Sequence, residues 1–465
     1  MGKIVPPIKI FFSIFIFIAL FGCASAPHRP YIDLVSLKNN CKKAPPNADP
    51  DLITPDTKNS SYTLHFLEFD DQGWPYPESK NGDDHWSPGL QIDCAIDDLA
   101  QKLKEGDVRA FVFVHGWHHS AENNDRDLNR FRDLLQAQAQ EDKRQVVGFY
   151  VGWNGASLKI PYVKDLTFWG RKNAAHHVAE GSVREFFARI KALRNHYNRR
   201  NNERSRNCGK PESLTAGKDC PLRTVMIGHS FGAWVLYSST APYILETLAG
   251  KEDLPSDAKI PVTARERGIA DLILLLNPAF EASRYEPVHR AAQRYRPETY
   301  ESPLLVSVTS VGDGATRYAF PIARFFNTIF QYPATTDEES KAMRNTHGHL
   351  NSYLTHELSV DPLLLEEHKR TECSRQEMRE KFFQSATRPS GQLKFDLTWE
   401  RRMCGGLVLR SLGHPKFEPY SIVWNIRASK DVIPDHNAII TDALDSFIVQ
   451  IYGDIRRAPD HVIMR

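Results

Sequence analysis

Thr224-Val225-Met226-Ile227-Gly228-His229-Ser230-Phe231-Gly232-Ala233-Trp234-Val235-Leu236 changes its period at the centre. A strand-favouring run reaches a serine flanked by glycines, and an apolar helical pattern begins immediately beyond it. Gly228 and Gly232 place no side chain at either flank, so the chain can turn back sharply and carry Ser230 at the apex. A strand that passes into a helix through one tight turn is the unit from which parallel, helix-covered sheets are built.

The same alternation extends outward from Arg109. Strands are expected at Ala110–Val114, Gln145–Val151, Thr224–Ile227, Leu272–Leu276, Leu304–Val308 and Ser421–Ile426, each apolar on both faces as covered parallel strands are. Val183, Phe186, Phe187, Ile190, Leu193 and Tyr197 fall three or four residues apart and predict a helix against the sheet, as do Leu128, Phe131, Leu134 and Leu135. Ile439, Ile440, Leu444, Phe447 and Ile448 predict a last helix. The stretch from about Thr335 to Pro419 breaks the alternation and reads as an insertion or cap before the last strand, or as a small subdomain. The fold class is therefore α/β with a mostly parallel central sheet.

The 465 residues carry 59 basic and 57 acidic side chains, so no overall field would attract nucleic acid. Hydrophobic residues make up 41% of the chain, enough for a sizeable core. The N-terminus differs from that body. Lys3 and Lys9 precede a twelve-residue apolar run, Ile10 to Phe21, too short for the roughly 20 residues that span a bilayer and laid out as a secretory signal. Leu20-Phe21-Gly22-Cys23 resembles a bacterial lipobox, which implies cleavage after residue 22 and a lipid on Cys23. Ala24 and Ser25 lack the acidic retention signal, so the resemblance points to an outer-membrane anchor facing the periplasm. Residues 23–60 then read as lipidated N-terminus and tether, and 61–465 as the globular domain.

Without Cys23 six cysteines remain, an even number suited to disulfides in an oxidising compartment. Cys41 with Cys94, Cys208 with Cys220 and Cys373 with Cys404 are pairings the spacing allows, among the 15 that six cysteines permit.

Gly228-His229-Ser230-Phe231-Gly232 in its strand–turn–helix setting is a G-x-S-x-G nucleophile elbow. Serine becomes a nucleophile only when a base takes its proton, and the developing oxyanion needs donors, so partners must exist elsewhere. Phe111-Val112-Phe113-Val114 ends in His115-Gly116-Trp117, and Asp313 follows the strand at Leu304–Val308. His436 follows the strand at Ser421–Ile426, at the entry to the last helix.

Together these motifs resemble the α/β-hydrolase superfamily over residues 105 to 455, within it the serine esterases and lipases. The resemblance implies a chain order of nucleophile, acid and base, hence Ser230, Asp313 and His436, with the backbone N–H groups of Trp117 and Phe231 as the oxyanion hole. Asp431 and Asp435 are alternative acids, whereas Asp271 lies at the wrong end of its strand. His347, His349, His356 and His414 are rival bases, and His115 reads as structural. Gly152-Trp153-Asn154-Gly155-Ala156-Ser157, with Tyr162 and Asp165, is similar to a stretch in bacterial serine esterases of unassigned substrate.

The aromatic segment Tyr318, Phe320, Ile322, Phe325, Phe326, Ile329, Phe330 and Tyr332 reads as a buried helix, with an acyl-pocket wall or lipid-facing lid as the alternative. His118-His119, His176-His177 and His347-Gly348-His349 lack convincing ligand spacing, so no metal and no cofactor is expected. The expected function is hydrolysis of an ester or related acyl compound, small molecule or lipid, through an acyl-enzyme at the cell envelope. An acyltransferase, or an idle fold serving as a binding or scaffolding module, is the alternative. Oligomeric state has no signature in the chain.

Overall fold

Strands apolar on both faces must be covered on both, and in the computed structural model they form the middle of one sheet. The structure describes residues 61–75, 89–141, 144–155, 168–198, 220–249, 268–295, 301–328, 334–386, 396, 398–413, 421–439 and 441–456. The lipobox, the tether, Cys41, Cys208, His414 and the Ala156–Asp165 part of the esterase-like stretch lie outside them.

Ten strands make the sheet: β1 (Tyr62–Phe69), β2 (Val108–Val114), β3 (Gln145–Trp153), β4 (Leu222–His229), β5 (Leu272–Leu276), β6 (Leu305–Ser310), β7 (His356–Val360), β8 (Glu400–Met403), β9 (Leu407–Ser411) and β10 (Val423–Ala428). Their spatial order is β1-β3-β2-β4-β5-β6-β10-β7-β9-β8. Every pairing from β1 across to β7 is parallel, and only β9 with its two neighbours is antiparallel. The expected α/β class with a mostly parallel sheet is what the chain forms.

Helices cover both faces: α1 (Leu90–Glu105), α2 (Arg126–Glu141), α3 (Phe168–Glu180), α4 (Val183–Tyr197), α5 (Phe231–Leu248), α6 (Ala282–Arg294) and, at the end, α11 (Asp442–Arg456). Alternate residues of β2 show why its run is apolar throughout. Ala110, Val112 and Val114 join one apolar layer with Leu99, Phe186, Phe187 and Leu236, from α1, α4 and α5. Phe111 and Phe113 join the other with Leu128, Phe131, Phe447 and Ile451, from α2 and α11. Each large side chain fully buried this way stabilises by about 1.5–3 kcal/mol.

The stretch 335–419 builds mostly outward along the sheet. It contributes α8 (Asp337–Arg344), β7, α9 (Pro362–Arg370), α10 (Arg375–Ala386), β8 and β9. Leu358, Met403, Leu407 and Leu409 carry the α11-side apolar layer onto this edge. A Cys373–Cys404 disulfide closes a separation of 31 residues, a loop whose cross-linking is worth about 3–4 kcal/mol in chain entropy. Cys94 and Cys220 are also disulfide-bonded.

The aromatic segment departs from the buried helix expected of it. A five-residue π-helix, Ala315–Ala319, precedes α7 (Phe320–Thr328). Phe320 and Arg324, four apart, turn inward, while Tyr318, Ile322 and Phe325 are 62%, 61% and 48% exposed. Ile329, Phe330 and Tyr332 lie outside the described residues. Among the described residues no helix is long and apolar enough to cross a membrane.

Candidate active site

The chain reverses direction across the sheet between β2 and β4, and at such a switch point the loops after the two strands splay apart at their carboxyl ends. The His115-Gly116-Trp117 loop and the Ser230 turn occupy that place. Ser230 has φ 54° and ψ −118°, a conformation costing a non-glycine residue about 1–3 kcal/mol. Neighbours hold it there: Ser230 N–H donates to Leu276 O at 3.0 Å, and Ser230 O accepts from Ala279 N at 3.2 Å. A Cβ on Gly232 would lie 2.2 Å from Val114 O, so the turn forms only with glycine there.

The expected base and acid meet this serine. Ser230 Oγ is 2.8 Å from His436 Nε2, and His436 Nδ1 is 2.9 Å from Asp313 Oδ2. That carboxylate oxygen stands off the line of the ring N–H, so the second contact is an ion-pair approach rather than a straight hydrogen bond. Ser230 and Asp313 are buried, whereas His436 is partly open to solvent. Burial raises the Asp313 carboxyl, but contacts with His436 and Thr316 outweigh it and hold the net value below the usual carboxylate range.

Thr316 and Asn277, not singled out beforehand, hold this arrangement together with His349, one of the rival bases. Thr316 gives its backbone N–H to Asp313 Oδ1 at 2.9 Å and its hydroxyl to Oδ2. His349 Nε2 lies 2.9 Å from that hydroxyl and, with Thr316 already donating, must itself donate. Burial lowers the His349 pKa to about 4, so the ring is neutral at pH 7. Asn277, at φ 44° after β5, gives its amide to the main-chain oxygens of Asp435 and His436, both at 3.1 Å, and accepts from Ser310 N at 2.9 Å. Asparagine after a strand is a common turn signal, and only the fold shows that it spans three loops.

The remaining candidates sort by place. A Cβ on Gly116 would lie 3.0 Å from Ser230 Cβ, so the amide of Trp117 belongs to a residue next to the apex. Phe231 follows Ser230 as the first residue of α5, and its ring is 6.1 Å from that of Trp117. His115 is buried, receives Trp153 N–H at Nε2 over 3.0 Å and donates from Nδ1 to Gly116 O at 2.9 Å, a structural role. Burial lowers its pKa to about 4. Among the rival bases, His347 faces Ser307 Oγ at 2.8 Å and His356 faces Thr355 Oγ1 at 2.8 Å. Asp271 pairs with Arg194 and Arg223 where β5 begins, at the far end of the sheet. Asp435 caps its own turn through Asn437 N at 2.8 Å.

Comparison with protein-family models, curated proteins and solved structures finds no match, so the chemistry is read from this geometry alone.

Proposed function

We propose that the chain is a serine hydrolase of the α/β-hydrolase type. The observation that carries the reading is the relay from Ser230 Oγ to His436 Nε2 at 2.8 Å and from His436 Nδ1 to Asp313 at 2.9 Å, mounted on a strained turn. In this mechanism His436 takes the Ser230 proton as Oγ attacks an acyl carbonyl, then returns it to the leaving alcohol. Asp313 orients the ring and stabilises the imidazolium. The Trp117 and Phe231 amides receive the oxyanion. Water then releases the acyl group by the same path in reverse.

Within that class, the particular protein we infer is an esterase or lipase tethered to the bacterial envelope by lipid on Cys23, in the outer membrane facing the periplasm. The lipobox-like Leu20-Phe21-Gly22-Cys23 and the disulfides at Cys94, Cys220, Cys373 and Cys404 support export. The exposed Tyr318, Ile322 and Phe325 stripe, beginning five residues after Asp313, supports an apolar acyl substrate.

The test is hydrolysis of p-nitrophenyl esters of graded chain length by the full chain in detergent. Turnover that falls on the order of 10⁴–10⁶-fold in Ser230→Ala, with the fold retained, is the expected result. Turnover equal in wild type and Ser230→Ala would sink the proposal.

A further inference from the structure

Next to His436, three buried side chains converge from separate elements. His119 comes from the loop after β2, Asp127 from the first turn of α2 and His229 from the last position of β4. Their nearest donor atoms lie within 4.8 Å of one another. His229 Nδ1 is 3.3 Å, and His119 Nε2 3.6 Å, from the same atom, Asp127 Oδ2.

The other ring nitrogens settle where the protons are. His229 Nε2 lies 2.9 Å from the main-chain oxygen of His436, a pure acceptor, so Nε2 donates. His119 Nδ1 lies 3.2 Å from both carboxylate oxygens of Asp125, so it donates too. In the neutral rings, His229 Nδ1 and His119 Nε2 then present lone pairs, and both face a carboxylate oxygen. Three acceptors turned on one point call for positive charge between them, supplied by a bound cation or by a proton on His119, whose pKa burial lowers but Asp125 and Asp127 raise more strongly. Arg126 does not supply it, because its guanidinium reaches Asn437 O instead.

We propose that His119, Asp127 and His229 bind one divalent cation of the zinc class behind the His436 loop. Ligand atoms 2.0–2.1 Å from a tetrahedral ion stand about 3.3–3.4 Å apart, close to the 3.3 and 3.6 Å separations here. Two imidazoles and a carboxylate suit that class of ion, and the charges of Asp125 and Asp127 match its double charge. Both rings also give their second N–H to a carboxylate or a main-chain oxygen, the outer contact that metal-bound imidazoles make. Water would complete the fourth position. The bound ion would fix the His229 ring and, through it, the carbonyl of His436, so it positions the base without touching the substrate.

The test is a titration of the untagged, chelator-stripped full chain with zinc chloride alone, followed by calorimetry, with bound metal counted by mass spectrometry after dialysis. One equivalent is expected, lost in His119→Gln and weakened about 10–100-fold in Asp125→Asn, since Asp125 orients a ligand without being one. Asparagine caps a helix as well as aspartate, so that variant keeps α2 and carries the comparison if His119→Gln does not fold. Folded wild type that takes up no equivalent, or Asp125→Asn that binds as tightly as wild type, overturns the proposal. Zinc bound at one equivalent by a chain with no reactive Ser230 would leave this site standing and remove the hydrolase reading.

Discussion

The two flanks of the candidate site are built on opposite terms. On the α2 side, the His436 loop is gripped by the buried His229 and Asn277 and by the exposed Arg126. On the α7 side, beyond Asp313, three large apolar side chains stand in solvent. The contrast follows from what each flank would do. Proton transfer needs atoms held to tenths of an ångström, while a surface that receives an acyl chain must stay open until the chain arrives. Asp313 joins the two flanks, and Thr316 with His349 ties it down where the exposed segment starts.

Substitutions can break or sharpen this contrast. The largest effect should come from Asp313→Asn, which leaves Ser230 and His436 in place but removes the carboxylate that orients the ring; kcat for an ester should fall about 10⁴-fold while KM changes little. A loss below tenfold would mean that Asp313 is a structural turn residue. Next, Asn277→Ala removes three hydrogen bonds and leaves alanine at φ 44°, so denaturant unfolding should show a loss of about 2–4 kcal/mol. Unchanged stability would show that the rigid flank does not depend on this bridge.

Asp445, in the first turn of α11, tests the same flank by pH. Burial, aided by Asp442, pushes its carboxyl up to about 6. The folded chain therefore holds a proton that the unfolded one, with a pKa of about 3.9, has released, and stability is lost as pH rises from about 4 through about 6. Asp445→Asn should add about 1–2 kcal/mol at pH 7, after allowance for partial exposure, and nothing below about pH 4. Equal gains at both pH values would contradict the burial argument. The smallest change in stability, within about 0.5 kcal/mol, is expected when Tyr318, Ile322 and Phe325 are together replaced by serine. The same variant should lose kcat/KM for long-chain esters more than for short ones. Equal loss for both chain lengths would separate the stripe from substrate binding.

The parts legible in the sequence are those where a local pattern has one physical solution. The six expected strands all lie in the sheet within about two residues of their observed bounds, because runs apolar on both faces fit only a covered parallel sheet. Ser230, Asp313 and His436 were reachable from chain order, since each follows a strand that ends on the same side. β1, β7, β8 and β9 were missed. β1 holds His65 and Glu68 among its apolar residues, and the edge strands carry Glu357, Arg402 and Arg410, so neither period stands out. Exposure of the α7 stripe was not legible because Tyr318, Ile322 and Phe325, at i, i+4 and i+7, form the kind of apolar helical face that is ordinarily buried. The grouping of His119, Asp127 and His229 was not legible because strands β2 and β4, adjacent in the sheet, are far apart in the chain.

The most direct test of the central proposal is covalent labelling. The full chain in detergent is treated with an alkyl fluorophosphonate beside Ser230→Ala, and the modified peptide is identified by mass spectrometry. An activated nucleophile requires a stoichiometric adduct on Ser230 that is absent from the variant. Folded protein that gains no adduct, or gains it equally in Ser230→Ala, would show that the relay from Asp313 through His436 does not make this serine reactive.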